Sequence, residues 1–194
     1  MSPTNKSYVS IQLPLGGHSF SSNSLRGINA GKHSDIHAIV DTAKCAVVPV
    51  EYFDSHNAEE MLRATGVIVD GDEVVVHSQH DTMVAIMAMS RACYDMLTKE
   101  YGEQITFTTP LLTSPMPEHG SVIHLGTNAI YVRVANDGLR LIEAMEVASD
   151  ADILYMLESI NKVYNIYNMY ARAEGDTQRL MKLCKRSFKN IVCE

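Results

Sequence analysis

The sequence predicts an α/β protein with mixed sheets, built from two units that each run βββαβαβ, with a cleft between them. Three observations carry that expectation. Short runs of alternating apolar and polar residues, the period of a half-buried strand, recur along the chain. Longer segments with apolar residues three and four apart stand between them, opened by Ser or Asp and closed by Gly. The same order of elements then starts again after a proline-rich stretch at 109–120, "TPLLTSPMPEHG".

In the first unit, "YVSIQL" (8–13) places Val9, Ile11 and Leu13 on one face of a strand, "PLGG" breaks it, and "HSFSS" reads as the returning strand. A loop rich in Ser, Asn, Gly and His follows to about residue 34. "IHAIVD" and "KCAVVPVEYF" are further strands, the second limited to a sheet edge or shortened by Pro49. "DSHNAEEMLRATG" is a helix that Asp54 or Ser55 caps and Gly66 ends. "VIVDGDEVVVH" reads as a hairpin turning at Asp70-Gly71. "MVAIMAM" (83–89) is a continuous apolar run, suited to a strand covered on both faces. Ser90 then caps a helix with Cys93, Met96, Leu97 and Tyr101 on one stripe, ended by Gly102, and "QITFTT" is a short strand.

The second unit opens with "SVIHLG", "AIYVRVA" and "LRLIEAMEV", three strands with Asn136-Asp137-Gly138 turning the second into the third. Ser149 and Asp152 form a capping box with Asp in place of Glu. The helix behind it carries Ile153, Met156, Leu157, Ile160, Tyr164 and Tyr167 on one side. "NMYARA" is a strand, "DTQRLMKLCKRSF" a helix and "NIVC" a last short strand. The expected division is a lobe at 1–118 and a smaller lobe at 119–194. The two share a pattern of elements and almost no residue identity.

Composition narrows the function classes. A chain of 194 residues that is 46% apolar can bury a core, and no stretch reaches the ~20 apolar residues of a membrane helix. The first residues hold no apolar run suited to a leader, so the cytoplasm is the expected compartment. A net charge of −7 speaks against a nucleic-acid partner, which needs a basic field. The basic group Lys182, Lys185, Arg186 and Lys189 reads as a solvated helix end. Cys45, Cys93, Cys184 and Cys193 show no C-x-x-C spacing and read as reduced, partly buried residues.

The order of elements resembles the ribonuclease H-like fold and, in duplicate, the architecture of actin, hexokinase and the sugar kinases. The chain also resembles a bacterial family of unknown function with an actin-like fold. "VSIQLPLGGHSFS", "VVPVEYFDSHNAEEMLRATG" and "YVRVANDGLRLIEAMEVASDADILYML" carry that resemblance. It implies two lobes flanking a cleft and brings no established activity with it.

In actin-like ATPases the resemblance places nucleotide in that cleft, held by a glycine-bearing hairpin from each lobe that usually opens with D-x-G. Glycine lets backbone N–H groups approach phosphate, and the aspartates serve Mg²⁺ or the attacking group. Here the second-lobe stretch is His124-Leu125-Gly126-Thr127, with His in place of the acid. In the first lobe Gly16 and Gly17 follow Pro14 and Leu15 by two residues, neither acidic. On the adenosine side a run of glycines is reduced to Gly175 between Glu174 and Asp176, carboxylates that repel phosphate. The cleft residues for a nucleotide or anion, if one binds, are therefore Gly16, Gly17, His124, Gly126, Thr127 and Gly175.

Other constellations read more plainly as structure. His77, His80 and Asp81 fall around a strand end and turn, and His33 and His37 in a Gly/Ser-rich segment; neither set supplies converging ligands with support behind them. No acid lies on the first strand, which a two-metal nuclease requires. The methionines of "MVAIMAMSRACYDML" fit core positions, and Tyr164, Tyr167 and Tyr170 fit packing or an interface.

The sequence-level expectation is a non-catalytic actin-like protein acting as a binding or assembly module. It needs no catalytic residue, metal or cofactor, and works with an unidentified protein partner or by self-association. The alternative is a degenerate binder holding ATP, ADP or another small anion in the cleft.

Overall fold

The structure, a computed structural model, describes residues 8–14 and 35–193. Eleven strands form three sheets among these residues. β1 (Tyr8–Pro14), β2 (Asp35–Asp41) and β6 (Ile105–Thr108) make a parallel sheet with β2 central. β3 (Cys45–Pro49), β4 (Glu73–His80) and β5 (Met83–Ser90) make an antiparallel sheet with β5 central. β7 (His119–Leu125), β8 (Ala129–Asn136), β9 (Leu139–Glu146), β10 (Tyr170–Gly175) and β11 (Asn190–Cys193) make the third, in the order β11-β10-β7-β8-β9.

That third sheet is a complete βββαβαβ unit. β7, β8 and β9 form an antiparallel meander, while β10 and β11 return parallel to β7. Asp137 at φ +53° and Gly138 at φ +110° make the tight turn expected between β8 and β9. Helix α3 (Asp150–Tyr164) crosses to β10, and α4 (Thr177–Cys184) to β11. The capping box is formed in full: Asp152 N–H donates to Ser149 Oγ, and the Asp152 carboxylate accepts from Ser149 N–H at 2.8 Å. Both helices cover one sheet face. Ile123, Ile130, Val132, Ala171 and Ala173 meet Ile153, Leu157 and Leu180 there, all fully buried.

The "MVAIMAM" run earns its apolar character from both sides. Ile86 and Ala88 face α1 (Ala58–Ala64) through Leu62, while Ala85, Met87 and Met89 face β2, β6 and α2 (Arg91–Tyr101). Its methionines are core, with Met87 and Met89 essentially inaccessible.

Several local expectations shift. The β4–β5 hairpin turns at Asp81-Thr82 (Asp81 φ +50°), where His80 pairs with Met83; residues 67–70 are not a strand, and Asp70-Gly71 only leads into β4. Val50 N–H donates to Thr82 O in the turn, and Glu73 N–H donates to Asp70 O where β4 begins. Asp54 caps a short 3₁₀ turn, Ser55–Asn57, ahead of α1. Ser90 occupies the cap position of α2 without a side-chain bond. Tyr167 is not on α3, because Asn165 at φ +56° ends that helix; Tyr167 sits in the next 3₁₀ turn and packs edge-on against Phe188, ring centroids 4.7 Å apart. The "HSFSS" strand, the loop to residue 34, His33, Gly16 and Gly17 lie outside the described residues.

Candidate functional site: the seam between the sheets

Alternation along β7, β8 and β10 assigns two roles to each strand. Residues facing α3 and α4 are apolar; those on the opposite face include Arg172, Glu174, His124, Tyr131 and Arg133. Register sets His124 beside both Tyr131 and Glu174. This second face is closed by the N-terminal part of the chain. Leu111, in the 3₁₀ turn Pro110–Leu112, packs with Ala129, Tyr131, Ala43, Cys45 and Val47.

Two polar groups sit in the seam. In the first, β2 ends on Asp41, which is 5% exposed. Thr127 N–H donates to its Oδ2 at 2.7 Å, and the Tyr131 hydroxyl donates to its Oδ1 at 2.9 Å. The turn after β7 is itself braced, with Gly126 N–H donating to Ala129 O and Val147 N–H to Asn128 O, each at 2.9 Å. The carboxylate lies so close to Gly126 that a Cβ there would stand 2.0 Å from Oδ1. Burial, together with the Asp41 charge, pushes the Tyr131 hydroxyl well above its ordinary pKa, so it stays a donor.

The second group is ionic. Arg172 Nε donates to Glu174 Oε1 at 3.0 Å, and His124 Nδ1 lies 3.6 Å from Glu174 Oε2. The proline-rich segment supplies the remaining acceptors. Arg133 Nη1 donates to Ser114 O at 2.6 Å, while Arg172 Nη2 donates to Ser114 Oγ at 3.1 Å and to Pro115 O. Burial raises the Glu174 carboxyl, yet bonds from His124 and Ser114 and the charges of Arg133 and Arg172 outweigh it and bring it to about 2. Burial lowers Arg133 to about 10, with Glu174 opposing and Arg172 reinforcing. Burial likewise pushes the Cys45 thiol up to about 12 against a contact from Thr109.

His124, Gly126, Thr127 and Gly175 therefore come together at one end of the third sheet. Gly175 has φ +71°, and a Cβ would stand 2.2 Å from Leu125 O and 2.9 Å from His124 Nε2. His124 Nε2 is buried without a hydrogen-bond partner among the described residues. The two acids flanking Gly175 have structural work: Glu174 in the ionic group, and Asp176 as the cap of α4, accepting from Arg179 N–H at 3.0 Å. Asp41, Arg133 and Arg172 were not singled out by sequence reasoning. The available signal was an acid closing an apolar strand and two arginines inside otherwise apolar ones. Away from the seam, His80 pairs with Asp81, the His77 ring packs on Phe53, and His37 lies on β2 against Thr106. Among the described residues no cluster of three or more His, Cys, Asp or Glu is grouped to hold a metal. Among the described residues no helix is long and apolar enough to cross a membrane.

The comparison that decides the fold is with a crystal structure from Bacteroides thetaiotaomicron VPI-5482, a protein with actin-like ATPase fold and unknown function. The match has a TM-score of 0.69 at 16% identity, over 89% of this chain and 74% of that one. This chain has the actin-like ATPase fold. A looser match, TM-score 0.42 at 17% identity over 84% of this chain and 66% of the other, is to the cytoplasmic domain of EpsL, an inner membrane component of the type II secretion system of Vibrio cholerae. No protein-family model and no curated protein matches the chain.

Proposed function

We propose that this chain is a non-catalytic, bacterial, cytoplasmic member of the actin-like fold, with duplicated ribonuclease H-like lobes, that serves as a binding or assembly module. One observation carries the reading. The Thr127 N–H, the backbone donor an actin-like ATPase would turn toward phosphate, is taken by the chain's own Asp41 carboxylate at 2.7 Å. A nucleotide phosphate would have to displace a buried carboxylate and would meet Glu174 nearby. Among the described strands β11 pairs on one side only, with β10, leaving an edge that can receive a partner strand or a second copy.

A thermal-shift titration with ATP and ADP, each with and without Mg²⁺, tests whether the seam is closed to nucleotide. A ligand at about 100 times its Kd adds about 2.7 kcal/mol, several degrees for a chain of this size. A flat response in all four conditions agrees with the proposal; a selective shift with Mg-ATP overturns it. Sedimentation velocity over a concentration series tests self-association, and a strictly monomeric chain leaves a different protein as the partner.

A further inference from the structure

We infer that Thr127, Tyr131 and Gly126 form a carboxylate-binding site, and that Asp41 is its tethered ligand. The inference rests on the reading of the seam as closed to nucleotide, and adds what the site does bind.

The geometry selects the ligand class. The donors Thr127 N–H and Tyr131 O–H each take a different oxygen of one carboxylate, at 2.7 and 2.9 Å. Gly126 presents a bare Cα to the oxygen edge of that group; its missing Cβ would lie 2.0, 2.6 and 2.7 Å from Oδ1, Cγ and Oδ2. Any side chain at 126 would push the carboxylate off these two donors. Both donors are neutral, and no lysine or arginine among the described residues pairs with Asp41, which suits a singly charged anion over a doubly charged one. Both donors also belong to the third sheet and its turn, while the acceptor arrives from β2. The receptor is thus built by residues 125–131 and the ligand by a separate sheet. An external carboxylate competes with the tethered one, so binding it and loosening the seam are the same event.

Chemical rescue tests this. Asp41→Ala removes the tethered carboxylate, and formate returns the same group untethered. Melting temperatures of wild type, Asp41→Ala and Asp41→Ala/Tyr131→Phe are followed against sodium formate, with sodium chloride and inorganic phosphate at equal ionic strength. The expected result is a lowered melting temperature for Asp41→Ala that recovers by several degrees in formate beyond any effect of chloride. Wild type should show no formate-specific gain, because its site is filled. The double variant should gain less, having lost one donor. No selective gain in a folded Asp41→Ala, an equal gain in wild type, or a larger gain from phosphate than from formate overturns the assignment. If Asp41→Ala fails to fold in chloride, circular dichroism in formate decides: a restored folded spectrum supports the site, and a chain still unfolded in formate overturns it. Wild type is run with Mg-ATP alongside. A shift there defeats the reading of the seam as closed to nucleotide by itself, while a failed formate rescue defeats only the carboxylate site.

Discussion

Asp41 Oδ2 lies 2.7 Å from the Thr127 amide nitrogen, so the last residue of β2 closes the first turn of another sheet, 86 positions further along the chain. The bond is part-buried, and its neighbour from Tyr131 to the same carboxylate is fully buried. Such bonds matter chiefly through what their loss leaves unpaired.

Tyr131→Phe keeps the ring packing and removes one donor, leaving Asp41 Oδ1 buried without it. Chemical denaturation should report a loss of about 1–3 kcal/mol. A loss below a few tenths would mean that the hydroxyl contributes nothing to the seam.

Gly126→Ala forces a methyl into the Asp41 carboxylate and should destabilise by about 2 kcal/mol or more through overpacking of a fixed contact. In the Asp41→Ala background the clash partner is gone, so the same change should cost much less. A double-mutant cycle measures that coupling, and strictly additive losses would contradict the close approach.

Glu174 gives the seam an acid-sensitive component. Its folded carboxyl lies at about 2, below the ordinary 4.5, so its contribution is present above about pH 4.5 and is lost as pH falls toward 2. The shift corresponds to roughly 3 kcal/mol. Across that window wild type should lose about that much more stability than Glu174→Gln, read from urea midpoints at stepped pH. Parallel profiles would show that Glu174 is not held low by its neighbours.

Ser149→Ala removes one half of the capping box of α3 and should cost about 1 kcal/mol in equilibrium unfolding. Leu157→Ala, on the buried face of the same helix, should cost about 2–5 kcal/mol. The contrast separates a local end effect from loss of shared core.

The sequence was most legible where a local rule governs. The Ser149–Asp152 box, the Asp137-Gly138 turn and the doubly covered β5 each follow from a few adjacent residues. Asp70-Gly71 carries the stronger local turn signal, while the turn that joins β4 to β5, Asp81-Thr82, depends on pairing His80 with Met83. The spacing of Tyr167 continues the apolar stripe of α3, whereas Asn165 breaks the helix with a left-handed residue. The seam was the least legible part. Asp41 meets Thr127, and Ser114 meets Arg133 and Arg172, across separations that no periodicity records. The resemblance names His124, Gly126 and Thr127 around the turn after β7 and Gly175 after β10, but not the carboxylate that meets that turn.

The parallel pairing of β2 with β6 has a consequence in time. Thr106 bonds Ile36 across 70 residues, whereas β7 to β11 assemble from one continuous stretch. During synthesis at about 5–20 residues per second, β2 emerges roughly 4–14 s before β6, the second of the two strands it pairs with. Until then its apolar residues Ile36, Ala38 and Val40 have no β6 to cover them. A pause or rare-codon cluster between residues 42 and 104 would lengthen that exposure and lower soluble yield without changing a single amino acid.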